Sequence, residues 1–354
     1  MTGLPSLHDD TAPIKTLRFL HGTLDIAWQP TILAHGLRRR GLRCYSLAYA
    51  APAWGPKPDV LLKSVRNSRV SRELLPLTAL LTTMDTYDVF HVHYGRSHIY
   101  NNLDVPFLRM LGKRFIFHFH GSEIRPQAVE RSVREWAPPD HPPPSRFQCW
   151  CTARRIHTAR AHGAAILVST PDLLDVIPDA HHLPVALDLD RWSVEPRENT
   201  RNATFKIVHA PTDPDFKGTA YLLRAVEVLK AEGHDISLEV LREVPRDDAL
   251  RRIAGADIFV DQLGVGWYGL AAVEAMALGV PTICHIRDDL AGYLTPLPLI
   301  TASKMTIEST LRFVLANRDA LPDYGSAGRR FVEKHHDSRA VVATLIDIYR
   351  RALS

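Results

Sequence analysis

The sequence predicts an α/β protein of two domains, each wound around a mostly parallel sheet. Three observations carry that expectation. At 354 residues the chain exceeds the roughly 250–300 residues that a single hydrophobic core supports. Apolar runs of strand length alternate with helix-length patterns almost from the start, as repeated β-α units do. That series then runs a second time after a polar, proline-containing stretch at 190–203, DRWSVEPRENTRNA, which has no apolar period and reads as a linker. The expected domains are 1–190 and 204–335, with a closing helix over 336–354.

Taken in order, residues 17–20 read as the first strand, 21–23 (HGT) as its turn, and 30–40 as a helix stopped by Gly41. Strands follow at 43–49, 89–93, 115–120 and 164–169, the last leading to Pro171, a residue tolerated in the first turn of a helix. Residues 136–147, WAPPDHPPPSRF, hold five prolines and read as an extended surface loop, either a rigid connector or one wall of an acceptor site. The second series places strands at 205–209, 236–241, 258–262 and 280–286. Its helices fall at 221–232, ended by Gly233, and 268–278, closed by Gly279. No short-period repeat is present, which excludes solenoids and propellers.

Composition narrows the function. The apolar fraction of 45% and charged fraction of 23% are ordinary for a globular protein, and no apolar run reaches the roughly 18 residues of a membrane helix. The N-terminal stretch lacks the basic and apolar regions of a secretory signal, and four cysteines are scattered, so a cytoplasmic protein with reduced thiols is expected. Net charge is +4, and residues 1–150 carry 19 Lys or Arg against 12 Asp or Glu. That bias falls short of the concentrated basic stripe of a nucleic-acid reader, so no nucleic-acid partner is expected. Lys63, Arg66, Arg69 and Arg72 recur every three residues and form either a solvated helix face or a surface for an anionic or membrane-linked acceptor. The sequence leaves the oligomeric state open.

Four turns bear on chemistry, because open parallel sheets bind ligands beyond the carboxyl ends of their strands. Gly22 and Thr23 follow the first strand, where one glycine without the full G-x-G-x-x-G pattern argues against a dinucleotide dehydrogenase but leaves room for a phosphate or sugar. In FIFHFHGSEIR, His118 and His120 share one strand face, as do His91 and His93 in VFHVHYG. Such a cluster admits a metal, yet strand-end imidazoles more often hydrogen-bond locally and no metal-ligand spacing accompanies them. Cys149, Cys151 and His157 are weaker still. Lys217, in DFKGTAYLL, opens a helix where its charge opposes the dipole, so either it faces an anion such as a phosphate or it is solvated. Finally, GVGWYGLAAVEAMALGVP sets a glycine-rich turn before a helix with Leu270, Val273 and Ala277 on one face. Glu274 inside that apolar helix requires a partner or a ligand. Backbone amides near Gly269 and Leu270 would face a phosphate, and Glu274 a ribose diol.

These last two turns resemble the C-terminal domain of the retaining glycosyltransferases of family 4. DVFHVHYG, FHFHGSEIR, ILVSTPDLL and LPVALDLDRW resemble that family's N-terminal domain in the same order, so the likeness spans most of residues 15–290. It implies a GT-B architecture, two Rossmann-like domains facing a central cleft, and metal-independent transfer of a sugar from a nucleoside-diphosphate sugar to an acceptor hydroxyl with retention. No cofactor is implied beyond the donor substrate, with a UDP-sugar the first expectation. By resemblance His120 is the histidine beside the reacting sugar, Lys217 the diphosphate clamp and Glu274 the ribose ligand. Gly22, Thr23 and the 266–270 turn complete the donor site, and Arg96, Glu123 and Arg125 are the acceptor-side candidates. Two positions depart from the family: Gly266 stands where a sugar-binding glutamate is usual, and Thr212 where an arginine accompanies the lysine. Gly266 therefore suggests a donor read by turn amides and by the side chains of Trp267 or Tyr268, unless Asp261 substitutes for the glutamate. Alternatives are an epimerase of nucleotide sugars on the same architecture, or a catalytically degenerate binding protein.

Overall fold

The computed structural model describes residues 14–49, 55–62, 69–125, 145–192 and 204–354. These divide into two compact units. One takes the described residues up to 125, those of 145–187, and Ser338–Ser354; the other takes the described residues of Asp188–Asp337.

The first unit is a seven-stranded sheet formed by β1 (Arg18–Gly22), β2 (Arg43–Ala48), β3 (Val60–Leu61), β4 (Val89–His93), β5 (Arg114–Phe119), β6 (Gly163–Val168) and β7 (His181–His182). Every pairing is parallel, in the order β3-β2-β1-β4-β5-β6-β7. A parallel sheet is covered on both faces, and β4 is buried at all five positions. On one face Phe90, Val92, Phe115, Phe117 and Phe119 enter a core with Ile156 and Val168. The opposite face carries Phe19, on which Tyr349 of the last helix, Ser338–Leu353, stacks with ring centroids 4.9 Å apart.

The second unit has five parallel strands: β8 (Phe205–His209), β9 (Ile236–Val240), β10 (Ile258–Val260), β11 (Thr282–Cys284) and β12 (Ile300–Thr301). Their order is β12-β11-β10-β8-β9. Phe205, Ile207, Ile258, Val260 and Ile283 meet Leu222, Val226 and Leu229 of the helix Thr219–Ala231 in its core. Both sheets are doubly wound, with a topological switch point, between β1 and β4 in the first and between β8 and β10 in the second, where the chain leaves in opposite directions and opens a crevice.

Several boundaries move. The expected loop at 136–147 lies outside the described residues as far as 144, and its end is helical. Arg146–His162 is a helix whose start is fixed by a capping box, Ser145 Oγ accepting from the Gln148 amide and the Gln148 side chain accepting from the Ser145 amide. Gly269 is extended backbone at the N-cap, so the helix after the glycine-rich turn is Leu270–Ala277 rather than 268–278. Of the basic stripe, Lys63 and Arg66 lie outside the described residues, and Arg69 and Arg72 fall in the helix Arg69–Thr83. No helix among the described residues is long and apolar enough to cross a membrane.

Candidate functional site

At the first switch point the carboxyl ends of β1, β4 and β5 bring His21, His91, His93, His118 and His120 together. Successive links run from Tyr349 Oη to His21 Nε2 (2.9 Å), His21 Nδ1 to His93 Nε2 (3.2 Å), and His93 Nδ1 to His120 Nε2 (2.9 Å). They continue from His120 Nδ1 to Ser169 Oγ (2.8 Å) and from Ser169 Oγ to His118 Nε2 (3.0 Å). His118 Nδ1 then meets His91 Nε2 (3.2 Å), and His91 Nδ1 meets Tyr349 Oη (2.5 Å). Two triads, His21 with His91 and His93, and His93 with His118 and His120, hold ring nitrogens within 4.8 Å of one another, close enough for a metal ion. Burial lowers the pKa of His21 and His120 to about 3. It also drives His91, His93 and His118 well below the usual histidine value, reinforced by neighbouring imidazoles. The cluster is therefore neutral at physiological pH. His21, Ser169 and Tyr349 are members that the sequence pattern does not single out.

The acceptor-side candidates separate. Glu123 turns back on its own loop: Oε1 accepts from the His120 amide and Oε2 from the Gly121 amide at 2.8 Å. Arg125 is held by Asp172, Nε donating to Oδ2 at 2.8 Å, and by Thr170 Oγ1 at 3.1 Å. Both side chains thus fasten the β5 turn; a buried charge so placed needs its partner. Arg96 is exposed and lies over the Tyr94 ring, 5.5 Å from its centroid. Thr23 is buried and donates to the Ser97 carbonyl at 3.3 Å. Gly22 is required by the neighbouring strand, since a Cβ there would sit 2.9 Å from the Leu47 carbonyl oxygen. Beside them, Asp25 has both carboxylate oxygens enclosed, and burial raises its pKa to about 6 against a hydrogen bond from the Trp28 backbone. Nothing in the sequence singles it out.

At the second switch point Lys217 follows β8 and Asp261 follows β10. Lys217 Nζ donates to Asp261 Oδ1 at 2.5 Å, and the Gly269 amide donates to Asp261 Oδ2 at 2.8 Å. The lysine does meet an anion at this turn, and the anion is a carboxylate of the same unit. Asp261 is 1% exposed and Lys217 9%. Glu274 is also buried and accepts from Arg246 Nη2, whose guanidinium lies 5.1 Å from the Trp192 ring centroid. Burial raises the Glu274 pKa against the opposing pull of Arg246. Gly266 adopts φ +87°, and a Cβ would fall 2.4 Å from Arg287 Cγ. That left-handed turn accounts for a glycine where the resembled family has a glutamate.

Trp267 and Tyr268 pack their side chains into the core of the second unit. Both are buried and stack on one another at 4.7 Å, with the Tyr268 hydroxyl 3.0 Å from His336 Nε2. The hydrophobic effect decides this: two large rings gain more from the core than from a wet turn. A further cation does approach the turn. Lys304 Nζ would lie 3.4 Å from a Cβ at Gly264, its ammonium 5.6 Å from the Tyr221 centroid, while Thr212 is exposed.

Neither a protein-family model nor a curated protein matches the sequence. Solved structures do. Sucrose-phosphate synthase from Thermosynechococcus elongatus is similar at 14% identity with a TM-score of 0.64, covering 97% of each chain. The catalytic domain of starch synthase IV from Arabidopsis thaliana, bound to ADP and acarbose, is 11% identical with a TM-score of 0.61 over 95% of this chain and 99% of that one. AviGT4, a glycosyltransferase involved in avilamycin A biosynthesis, is 16% identical with a TM-score of 0.52 over 95% and 98%. The architecture is that of the GT-B glycosyltransferases.

Proposed function

We propose that the chain is a glycosyltransferase that moves a sugar from a nucleoside-diphosphate sugar to an acceptor hydroxyl, with retention at the anomeric carbon and without a metal. The observation that carries this reading is the convergence of Lys217 Nζ and the Gly269 amide on one carboxylate, Asp261, at the switch point of the second sheet. Two donors already gathered around an internal anion are the groups a diphosphate needs, and Lys304 approaches the same turn.

The reaction breaks the bond from the anomeric carbon to the diphosphate oxygen through an oxocarbenium-like transition state, so negative charge grows on the leaving diphosphate. In this reading the diphosphate takes Lys217 and the Gly269 amide from Asp261, and Glu274 lies within one to two helical turns for a ribose diol. The acceptor hydroxyl adds to the face the diphosphate leaves and gives its proton to a phosphate oxygen of the departing group. Arg96, Glu123 and Arg125 are the acceptor-side candidates. A UDP-sugar is the first donor to try.

The test incubates purified full-length protein with UDP-glucose, UDP-N-acetylglucosamine, GDP-mannose or ADP-glucose, with excess chelator and a panel of alcohol acceptors, and measures nucleoside diphosphate release. Acceptor-dependent release that survives the chelator, with an α-linked product from an α-linked donor, is expected. Release that stops with chelator and returns with added metal overturns metal independence. If no donor is turned over and none raises the melting temperature, the donor-site reading fails, since a bound ligand stabilises by mass action.

A further inference from the structure

The histidine cluster closes on itself. Seven side chains, those of Tyr349, His21, His93, His120, Ser169, His118 and His91, make seven links, and each of the ten imidazole nitrogens is used once. A neutral imidazole has one N–H and one lone pair, and a hydroxyl can donate once while accepting. Five imidazoles and two hydroxyls therefore supply one proton for every link.

Closure constrains the tautomers. If Tyr349 donates to His91 Nδ1, then His91 must donate from Nε2 to His118 Nδ1, and His118 from Nε2 to Ser169. Ser169 then donates to His120 Nδ1, His120 from Nε2 to His93, and His93 from Nε2 to His21. His21 returns the sequence from Nε2 to the phenol. In this direction all five histidines are protonated on Nε2, and in the reverse direction all five are protonated on Nδ1. Distances choose between them, because hydroxyl donors make shorter hydrogen bonds than N–H donors. Tyr349 Oη is nearer His91 Nδ1 (2.5 Å) than His21 Nε2 (2.9 Å), and Ser169 Oγ is nearer His120 Nδ1 (2.8 Å) than His118 Nε2 (3.0 Å). Both hydroxyls, on opposite sides of the ring, point the same way round.

We propose that these side chains form a closed, one-way hydrogen-bonded ring with all five histidines neutral and protonated on Nε2, and that Tyr349 is a positioning residue that fixes the His120 imidazole through it. The ring leaves no imidazole lone pair spare for a metal, and an added proton would set two donors against each other, which agrees with the depressed histidine pKa values. The ring stands on geometry alone; its bearing on catalysis rests on the reading of His120 as the neighbour of the bound sugar.

The experiment records long-range 1H–15N spectra of the full chain labelled with 15N-histidine at neutral pH, for the wild type, Tyr349→Phe and Ser169→Ala. Tyr349→Phe keeps the stack on Phe19 and removes only the hydroxyl. Five neutral Nε2–H patterns are expected in the wild type, insensitive to one equivalent of Zn2+. In either variant the His120 signals should lose the single-tautomer pattern. Mixed tautomers or an imidazolium among the five in the wild type overturns the ring. Five Nδ1–H patterns overturn the assigned direction, and stoichiometric Zn2+ shifts overturn the assignment of the imidazole lone pairs. Folded variants with unchanged His120 signals overturn the role of Tyr349. The wild-type spectrum decides the ring if a variant does not fold. Absence of transferase activity would leave these readouts intact and so is told apart from failure of the ring.

Discussion

Acid should unfold the first unit of this protein over a narrow pH range, with the five ring histidines as the cause. Each is neutral in the folded state, with its pKa lowered to about 3 for His21 and His120 and well below the usual value for the other three. Each returns to about 6.5 when unfolded. A lowered histidine pKa means that the unfolded chain binds more protons below pH 6.5, so the stabilisation is complete above that value and is lost as pH falls. Between pH 7.5 and 5.5 one such histidine forfeits on the order of 1 kcal/mol, and the five together several kcal/mol. That is comparable with the whole stability of a typical domain, about 5–15 kcal/mol. Asp25 works the other way: its carboxyl, raised to about 6, favours the folded state as pH falls toward 4, a smaller contribution of opposite sign. The assay is hydrogen exchange of peptides covering β4 and β5, corrected for the intrinsic effect of pH, with urea midpoints alongside. A steep loss of protection between pH 7 and 5.5 is expected in these strands. Protection that is flat across this interval would refute the claim that the histidines are buried and neutral.

Lys217→Ala should destabilise the second unit by about 3–5 kcal/mol, because it leaves the buried Asp261 carboxylate without its cation. Adding Asp261→Asn should recover most of that loss, and a double-mutant cycle in urea that shows simple additivity would contradict the pairing. Gly266→Ala should cost about 1–2 kcal/mol for the left-handed backbone and about 1–3 more for crowding Arg287. Arg287→Ala in the same chain should return only the second part, which thermal unfolding of the two variants can separate.

Strands with sharp boundaries are legible in the sequence. Residues 89–93 and 205–209 read as strands and form β4 and β8, because each is a short, largely apolar run with a polar residue before it and a glycine or proline two residues after it. The two-residue strands β3, β7 and β12 are not, since two residues cannot display an alternation. In the candidate site, the period of two along a strand is enough to put His91 with His93 and His118 with His120. Nothing local could add Tyr349, which meets His21 across 328 residues of chain. Lys217 and Glu274 stand out as charges in apolar surroundings, but their partners Asp261 and Arg246 lie 44 and 28 residues away. Burial itself is not legible at Trp267 and Tyr268, aromatic residues beside a glycine-rich turn that pack in the core, or at Glu123, whose carboxylate caps its own loop.

The last helix, Ser338–Leu353, belongs to the unit that the first residues begin, and Asp188–Asp337 intervenes between them. Domains usually fold in the order in which synthesis delivers them. Here that order is reversed. The strands of the first sheet have all emerged by His182, yet Phe19 still lacks its stacking partner, and His21 and His91 lack the phenol that joins them. The inserted unit is complete in sequence while the one that encloses it still waits for its last sixteen-residue helix. The helix Ser338–Leu353 thus acts as the latch of the first unit, supplying from beyond the inserted unit the one side chain, Tyr349, that both Phe19 and the imidazoles await.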